Sequence, residues 1–296
     1  MPIGKKYRFK NFEGLFYIAP WIIGFLWFQL YPFVMSFYYS FTDFGMLRAP
    51  RFVGLRNYEI LLTADRDFWL SLRVTGIYAF MLVPMKLAVA LFVALILNMK
   101  LKGVNLFRTV YYLPSIMGGS IAISVLWRLM FMRDGVINNL LGTRIDWIGS
   151  PDFALFTISL LSVWQFGSSM VIFLAALQQI PNSLYEAAKV DGARAHTSFL
   201  RITLPMLTPV LFFNLIMQTI NALQEFTSAF VITGGGPLKA TLVLGIKLYQ
   251  EAFQFFKMGY AAALSWIMFI IIVVLTSIIF KSSSSWVYYE DGGKSL

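Results

Sequence analysis

The chain has no cysteine, a single histidine and little charge. Without cysteine it has no disulfide, no thiolate metal site and no cysteine nucleophile. With His196 alone, a two-histidine metal site is impossible. No GxxxxGK[ST] phosphate loop occurs, so the chain is not expected to hydrolyse ATP itself. The run Gly234-Gly235-Gly236-Pro237 follows an apolar segment and lacks the strand and helix of a phosphate cradle, so it reads as a turn. Charged residues make up 13% of the 296 positions, while 58% are hydrophobic. Ordinary soluble domains carry about twice that charge, and no single soluble core needs so many uninterrupted apolar runs. The composition points to an integral membrane protein. A net charge of +10 raises the question of nucleic acid. The basic residues flank apolar segments instead of forming one stripe, which suits lipid headgroups and membrane topology; no nucleic-acid partner is expected.

Six apolar segments, at 15–37, 72–97, 107–132, 153–177, 203–230 and 260–280, approach the roughly 20 residues that a bilayer crossing needs. The expected architecture is all-α, with residues 1–14 as an N-terminal segment, 15–280 as one transmembrane domain and 281–296 as a tail. The first segment follows the basic stretch from Lys5 to Lys10 and runs on through Trp21, Trp27 and Tyr31-Pro32. It is too long for a signal peptide and is read as a retained helix. The N-terminal cluster, Lys100, Lys102 and Arg108 lie next to short loops and place both termini in the cytoplasm.

Between the fourth and fifth segments lies a polar stretch. Pro181-Asn182-Ser183 should stop the fourth helix, and Ser183 with Glu186 has capping-box spacing for a new short one. Leu184, Ala187, Ala188 and Asp191 then share one face, kept small by two alanines so that another surface can approach. Gly192 is placed to end that helix in a left-handed turn. A second short stretch, from Ala193 to Leu200, leads to Pro205 near the start of the fifth span, where its missing N–H needs no partner. Read plainly, this is an interfacial helix joining two spans.

The spacing carries more than that. Glu186-Ala187-Ala188, Gly192 and the closing Ile202-x-Leu204-Pro205 resemble the coupling-loop motif of ATP-binding-cassette importer permeases. Further matches run almost end to end: Tyr31-Pro32, Ser40-Phe41-Thr42-Asp43, Phe52-Val53-Gly54-Leu55-Arg56-Asn57-Tyr58, Arg108-Thr109-Val110-Tyr111-Tyr112-Leu113-Pro114, Leu177-Gln178-Gln179-Ile180-Pro181, Thr233 to Pro237, and Gly259-Tyr260-Ala261. The chain thus resembles the inner-membrane permeases of carbohydrate-type importers, the maltose and glycerol-3-phosphate uptake class, in its short six-helix form. It lacks the large extracytoplasmic domain of the maltose-type subunit, so maltose specificity is not implied. The resemblance implies a type I importer permease fold, with a cytoplasmic coupling helix between helices four and five. It implies ATPase contact through Ser183, Glu186, Ala187, Ala188, Asp191, Gly192, Ile202, Leu204 and Pro205. It also implies a second permease subunit, commonly a different one, a cytoplasmic ATPase dimer that uses ATP and Mg, and an extracytoplasmic solute-binding protein. The chain itself would bind no cofactor and would lie in the inner membrane.

The residues of the spans suggest what is carried. Asn214, Gln218, Asn221 and Glu225 fall on one helical face of the fifth span, with Gln224 beside them. Such a stripe faces lipid only at high cost, and should face protein or a water-filled cavity. Span four adds Ser162, Trp164, Gln165, Ser168 and Ser169, and span three adds Tyr112, Ser115, Gly118, Gly119 and Ser120. Amides, hydroxyls and aromatic faces suit sugar hydroxyls and pyranose rings. The same polar groups also supply ordinary interhelical hydrogen bonds of about 1 kcal/mol or less. Lys86 and Glu225 are ionisable groups at membrane depth, each needing a partner or water, and either pairing with each other or with another subunit. A transporter driven by an ion gradient is the alternative that would exploit them. A phosphate ester would want arginine or lysine along the path. The polar faces of spans three to five show amides and hydroxyls instead, with Glu225 repelling anions, so the expected cargo is a neutral carbohydrate.

Overall fold

The computed structural model describes residues 10–45, 49–99 and 103–288. Lys5, Lys6, Arg8, Lys100 and Lys102, on which the expected orientation leans, lie outside the described residues, as does the tail from 289 onward. Among the described residues every regular element is helical, apart from an isolated bridge between Thr42 and Phe52. The main helices in chain order are α1 (Tyr17–Ser40), α2 (Arg66–Leu97), α3 (Val104–Ile116), α4 (Ile121–Met130), α5 (Pro151–Trp164), α6 (Gly167–Gln179), α7 (Asn182–Val190), α8 (Ala195–Leu223), α9 (Thr227–Ile232) and α10 (Met258–Trp286).

Four of these, α1, α2, α8 and α10, are continuous and apolar enough to cross a membrane; the bent pairs α3–α4 and α5–α6 bring the number to 6 if each counts as one crossing. The expected segments need correcting in several places. The third, 107–132, is not one helix: it breaks at Met117–Ser120 with a bend of 100°. Gly119 there has φ +73, a left-handed conformation in which other residues are strained. The fourth bends by 45° at Gln165–Phe166. The fifth begins earlier, at Ala195, and stops at Leu223, so residues 227–230 belong to a separate helix. The second starts at Arg66, and the last continues to Trp286 instead of ending at 280.

Two compact units share the chain. The larger comprises Arg66–Lys247 with the segment from Phe269 onward, and α2 is its axis. Phe68, Ser71, Thr75, Tyr78, Leu82, Ala90, Ala94 and Leu97 are buried at spacings of three, four and eight, one stripe of a 3.6-residue period. That stripe packs on α5, α6 and α8, whose Ile158, Leu161, Met170, Phe173 and Leu207 are fully buried. Arg108 donates from Nη2 to the Leu97 carbonyl at 3.4 Å, placing a cation at the C-terminal end of α2. The glycine turn behaves as expected: Gly234 and Gly235 have φ of +64 and +94, and Thr241 donates to the Gly236 carbonyl at 2.7 Å.

The smaller unit runs up to Asp65 and includes Leu248–Met268. Here three distant sequence matches meet. Asn57 donates from its amide to the Ser40 carbonyl at 2.8 Å and the Thr42 carbonyl at 2.9 Å, and the Tyr58 hydroxyl donates to Ser40 Oγ at 2.7 Å. Gly259 donates its N–H to the Phe44 carbonyl at 2.8 Å, and a Cβ at that position would collide with the Thr42 carbonyl. Tyr260 donates its hydroxyl to Asp65.

Much apolar surface stays uncovered. None of the most apolar window of α1 is buried, and Trp21, Trp27 and Phe28 are among its exposed side chains. In water such a surface would drive aggregation; in hydrocarbon it costs nothing, and helices satisfy their own backbone groups there. The chain is a multi-pass membrane protein.

Candidate functional site

Within the larger unit, α2, α3, α6 and α8 line a half-open cavity of about 310 Å³, at the small end of ligand pockets, which run from roughly 300 to 1,000 Å³. Its polar lining is Lys86, Ser115, Gln165, Ser168, Ser169, Asn214, Gln218 and Asn221, and its apolar lining is Ile172, Phe213 and Met217. Each polar side chain has a local origin. Asn214, Gln218 and Asn221 sit four and three residues apart on α8 and so share a face. Ser168 and Ser169 lie in the first turn of α6, just after the bend, and Gln165 lies in the bend itself. Ser115 comes from the last turn of α3, and Lys86 from the middle of α2, two residues after Pro84.

The bend at Gln165 frees backbone groups that hydrocarbon cannot satisfy. Ser115 satisfies them: its hydroxyl donates to the Gln165 carbonyl at 3.1 Å and accepts the Ser168 N–H at 3.0 Å. The approach is close enough to require glycine at 167, where a Cβ would press on the Tyr111 carbonyl, Ser115 Oγ and the Tyr112 Cα. Gln218 donates from Nε2 to Ser169 Oγ at 3.1 Å, tying α8 to α6, and Asn214 donates back to the Val210 carbonyl at 3.1 Å. Part of the polar stripe thus does the structural work of helix pairing while also facing the cavity. One amide and one hydroxyl group can do both, since each has more than one donor or acceptor position.

Other expected residues lie elsewhere. Tyr112, Gly119 and Trp164 are exposed and do not line the cavity; the Trp164 ring lies 6.0 Å from that of Trp127. Gln224 is the exposed residue that caps α8. Glu225 is the main correction. The helix stops at Leu223, so the stripe does not reach it. Glu225 Oε1 accepts the N–H groups of Ser228 at 2.9 Å and Ala229 at 3.4 Å, at the start of α9, and Oε2 accepts the Tyr78 hydroxyl at 3.3 Å. Tyr78 and Ser162 share a further hydrogen bond of 2.9 Å. Among the described residues Lys86 and Glu225 form no ion pair. Ile172, Phe213 and Met217 went unnoticed in the sequence, although Phe213 and Met217 each immediately precede a stripe residue and are four apart. That offset was the available signal.

The polar stretch between α6 and α8 carries the predicted short helix, α7, but not the predicted cap. Pro181 holds the N-cap position, and Ser183 lies inside the first turn with no capping hydrogen bond from that position. The C-terminal end is as expected. Gly192 has φ +74, its N–H goes to the Lys189 carbonyl at 3.1 Å, and the Ala193 N–H goes to the Ala188 carbonyl at 2.8 Å, the Schellman pattern. Ser183, Glu186, Ala187, Asp191 and Gly192 are exposed, and Ala188 is half-buried. Tyr185 anchors the helix, its hydroxyl 2.8 Å from Thr203 Oγ1. Pro205 lies in the first turn of the regular α-helical part of α8, Leu204–Leu223, as expected, although the helical path already runs from Ala195. A wide turn at Phe199–Thr203, where the Leu204 N–H reaches back to the Phe199 carbonyl, precedes the proline and relieves the clash its ring would otherwise make. Ile202 and Leu204 are half-buried. Among the described residues no three metal-ligating side chains converge.

Residues 60–287 match the family described as binding-protein-dependent transport system inner membrane component. The chain is 49% identical to the "Probable ABC transporter permease protein YesP" of Bacillus subtilis, over 98% of this chain and 96% of that one. It is 36% identical to the lactose transport system permease protein LacF of Rhizobium radiobacter, over 93% and 95% of the two chains. Among solved structures, it superimposes with a TM-score of 0.78 on a bacterial ABC transporter involved in the import of the acidic polysaccharide alginate, covering 94% of this chain and 98% of that one. At 21% identity that likeness speaks for the fold alone.

Proposed function

The chain belongs to the family of binding-protein-dependent transport system inner membrane components, and from that premise we propose that it forms half of the translocation path of an ATP-driven importer for a sugar or oligosaccharide. The observation that carries the cargo class is the cavity between α2, α3, α6 and α8. Its amides and hydroxyls offer donors and acceptors to sugar hydroxyls, while Phe213, Met217 and Ile172 offer apolar surface to ring faces. The lactose permease of Rhizobium radiobacter, alike over nearly its whole length, supports the same class.

The chain is a permease subunit and not an enzyme. In this reading ATP and Mg are used by a separate cytoplasmic ATPase dimer that receives the exposed helix α7, with Glu186, Ala187, Ala188 and Asp191 turned to it and Ser183 and Gly192 bounding it. Ile202, Leu204 and Pro205 carry the movement into α8. A second, related permease subunit completes the path, both termini face the cytoplasm, and a solute-binding protein docks on the opposite side. ATP and the loaded binding protein each shift the cavity between inward- and outward-facing states only by binding one state better than the other.

The test is purification of this chain from native membranes with everything bound to it, followed by mass spectrometry. Recovery of a second permease and an ATPase is the expected result. Recovery of the chain alone, with uptake that persists in ATP-free vesicles holding an ion gradient, would replace this reading with gradient-driven transport.

A further inference from the structure

The formal charge of the cavity is opposite to what the stripe on the fifth span suggests. Glu225 would make it anionic, but Glu225 lies outside it, its carboxylate held by two α9 N–H groups and the Tyr78 hydroxyl. Lys86 lies inside it, the one formally charged side chain in a lining otherwise of amides, hydroxyls and apolar groups. Among the described residues no hydrogen bond or ion pair reaches the Lys86 ammonium. Glu225 exerts an attractive field on it without forming a contact pair.

A cation at membrane depth is retained at a cost, and its usual justification is a partner or a cargo. Glu225 attracts it from a distance, but among the described residues no group contacts it. A positive charge in a cleft lined by protein also concentrates anions there. The neutral lining recognises hydroxylated rings, so the complementary anion is one borne by a sugar. One ammonium balances a single carboxylate. A phosphate ester carries nearly two charges, which a single ammonium balances only in part. We infer that the cargo is an acidic saccharide, and that its uronate carboxylate meets the Lys86 ammonium while its hydroxyls meet Gln165, Asn214, Gln218 and Asn221. This rests on the reading of the chain as a saccharide importer permease, and replaces the neutral sugar expected from residue types alone.

The test uses the complete importer, with its native partners, in right-side-out membrane vesicles loaded with ATP. Uptake is compared for uronate disaccharides built from galacturonate, glucuronate or mannuronate and for their carboxyl-reduced, neutral counterparts. The wild type should prefer an acidic member. Lys86→Gln should lower the acidic-to-neutral uptake ratio about 10- to 100-fold, the range expected for losing one charge-assisted hydrogen bond. Lys86→Arg, which keeps the charge, should recover most of it. Membrane level and partner copurification of both variants distinguish loss of recognition from loss of folding. A wild-type preference for the neutral sugars, or a ratio unchanged in Lys86→Gln, overturns the inference and leaves the saccharide reading standing. Uptake of neither class by an importer with demonstrable ATPase activity removes the saccharide reading itself.

Discussion

Gly167→Ala is expected to destabilise the folded chain, because α3 crosses α6 at that residue with no room for a methyl group. An added Cβ would lie 2.5 Å from the Tyr111 carbonyl oxygen, 2.7 Å from Ser115 Oγ and 2.8 Å from the Tyr112 Cα. Two of those three atoms are backbone, so no rotamer change relieves the contact, and α3 must move. Overpacking of this kind costs about 1–3 kcal/mol. The shift also stretches the two hydrogen bonds by which Ser115 satisfies the bend at Gln165, each worth about 0.5–1.5 kcal/mol net. Alanine recovers at most about 1 kcal/mol of helix propensity, and less at the first residue of a helix. The net effect is a loss of about 1–3 kcal/mol. Gly76 supplies the control: it lies within α2 with nothing inside 4 Å of its would-be Cβ, so Gly76→Ala should be neutral or stabilising by up to about 1 kcal/mol. Both variants are compared with wild type by thermal unfolding in detergent micelles, read by size-exclusion chromatography of the surviving monodisperse fraction. Equal stability of Gly167→Ala and Gly76→Ala would refute the close-crossing argument.

Asn57→Ala leaves the Ser40 and Thr42 carbonyls without their donor and should cost about 1–3 kcal/mol; Asn57→Asp should cost more, since it sets a carboxylate against two carbonyl oxygens, and the same unfolding assay ranks them. Glu225→Gln keeps an acceptor for the Ser228 and Ala229 N–H groups and should preserve transport, whereas Glu225→Ala leaves two buried donors unpaired and should lower stability by about 1–3 kcal/mol. A transport defect in Glu225→Gln at full expression would instead place this carboxylate on the solute path. Tyr185→Phe removes the bond to Thr203 and should loosen α7 by about 0.5–1.5 kcal/mol, seen as faster proteolysis within 182–192 at unchanged global stability.

Several features were legible before any tertiary structure. An apolar run of about 20 residues has few fates other than a membrane helix, because only a helix satisfies its own backbone in hydrocarbon. The short helix between α6 and α8 and its end at Gly192 followed from local rules, since a left-handed turn favours glycine whatever surrounds it. The face shared by Asn214, Gln218 and Asn221 followed from helical period. What period cannot say is where a helix stops. Asn221 and Glu225 are in phase, but α8 ends at Leu223 and the chain turns, so the stripe breaks between them. The bend at Gln165 was equally hidden: no proline marks it, and it persists because Ser115, 50 positions away in the chain, bonds the groups it exposes. The sign of the cavity's charge was decided the same way. Lys86 and Glu225 were both visible as costly charges, yet only packing put the lysine in the lining and gave the glutamate to the N-terminal end of α9. Local geometry follows from neighbours along the chain, whereas charge balance in a cavity depends on which helix ends and faces are brought together, and that is a property of the fold.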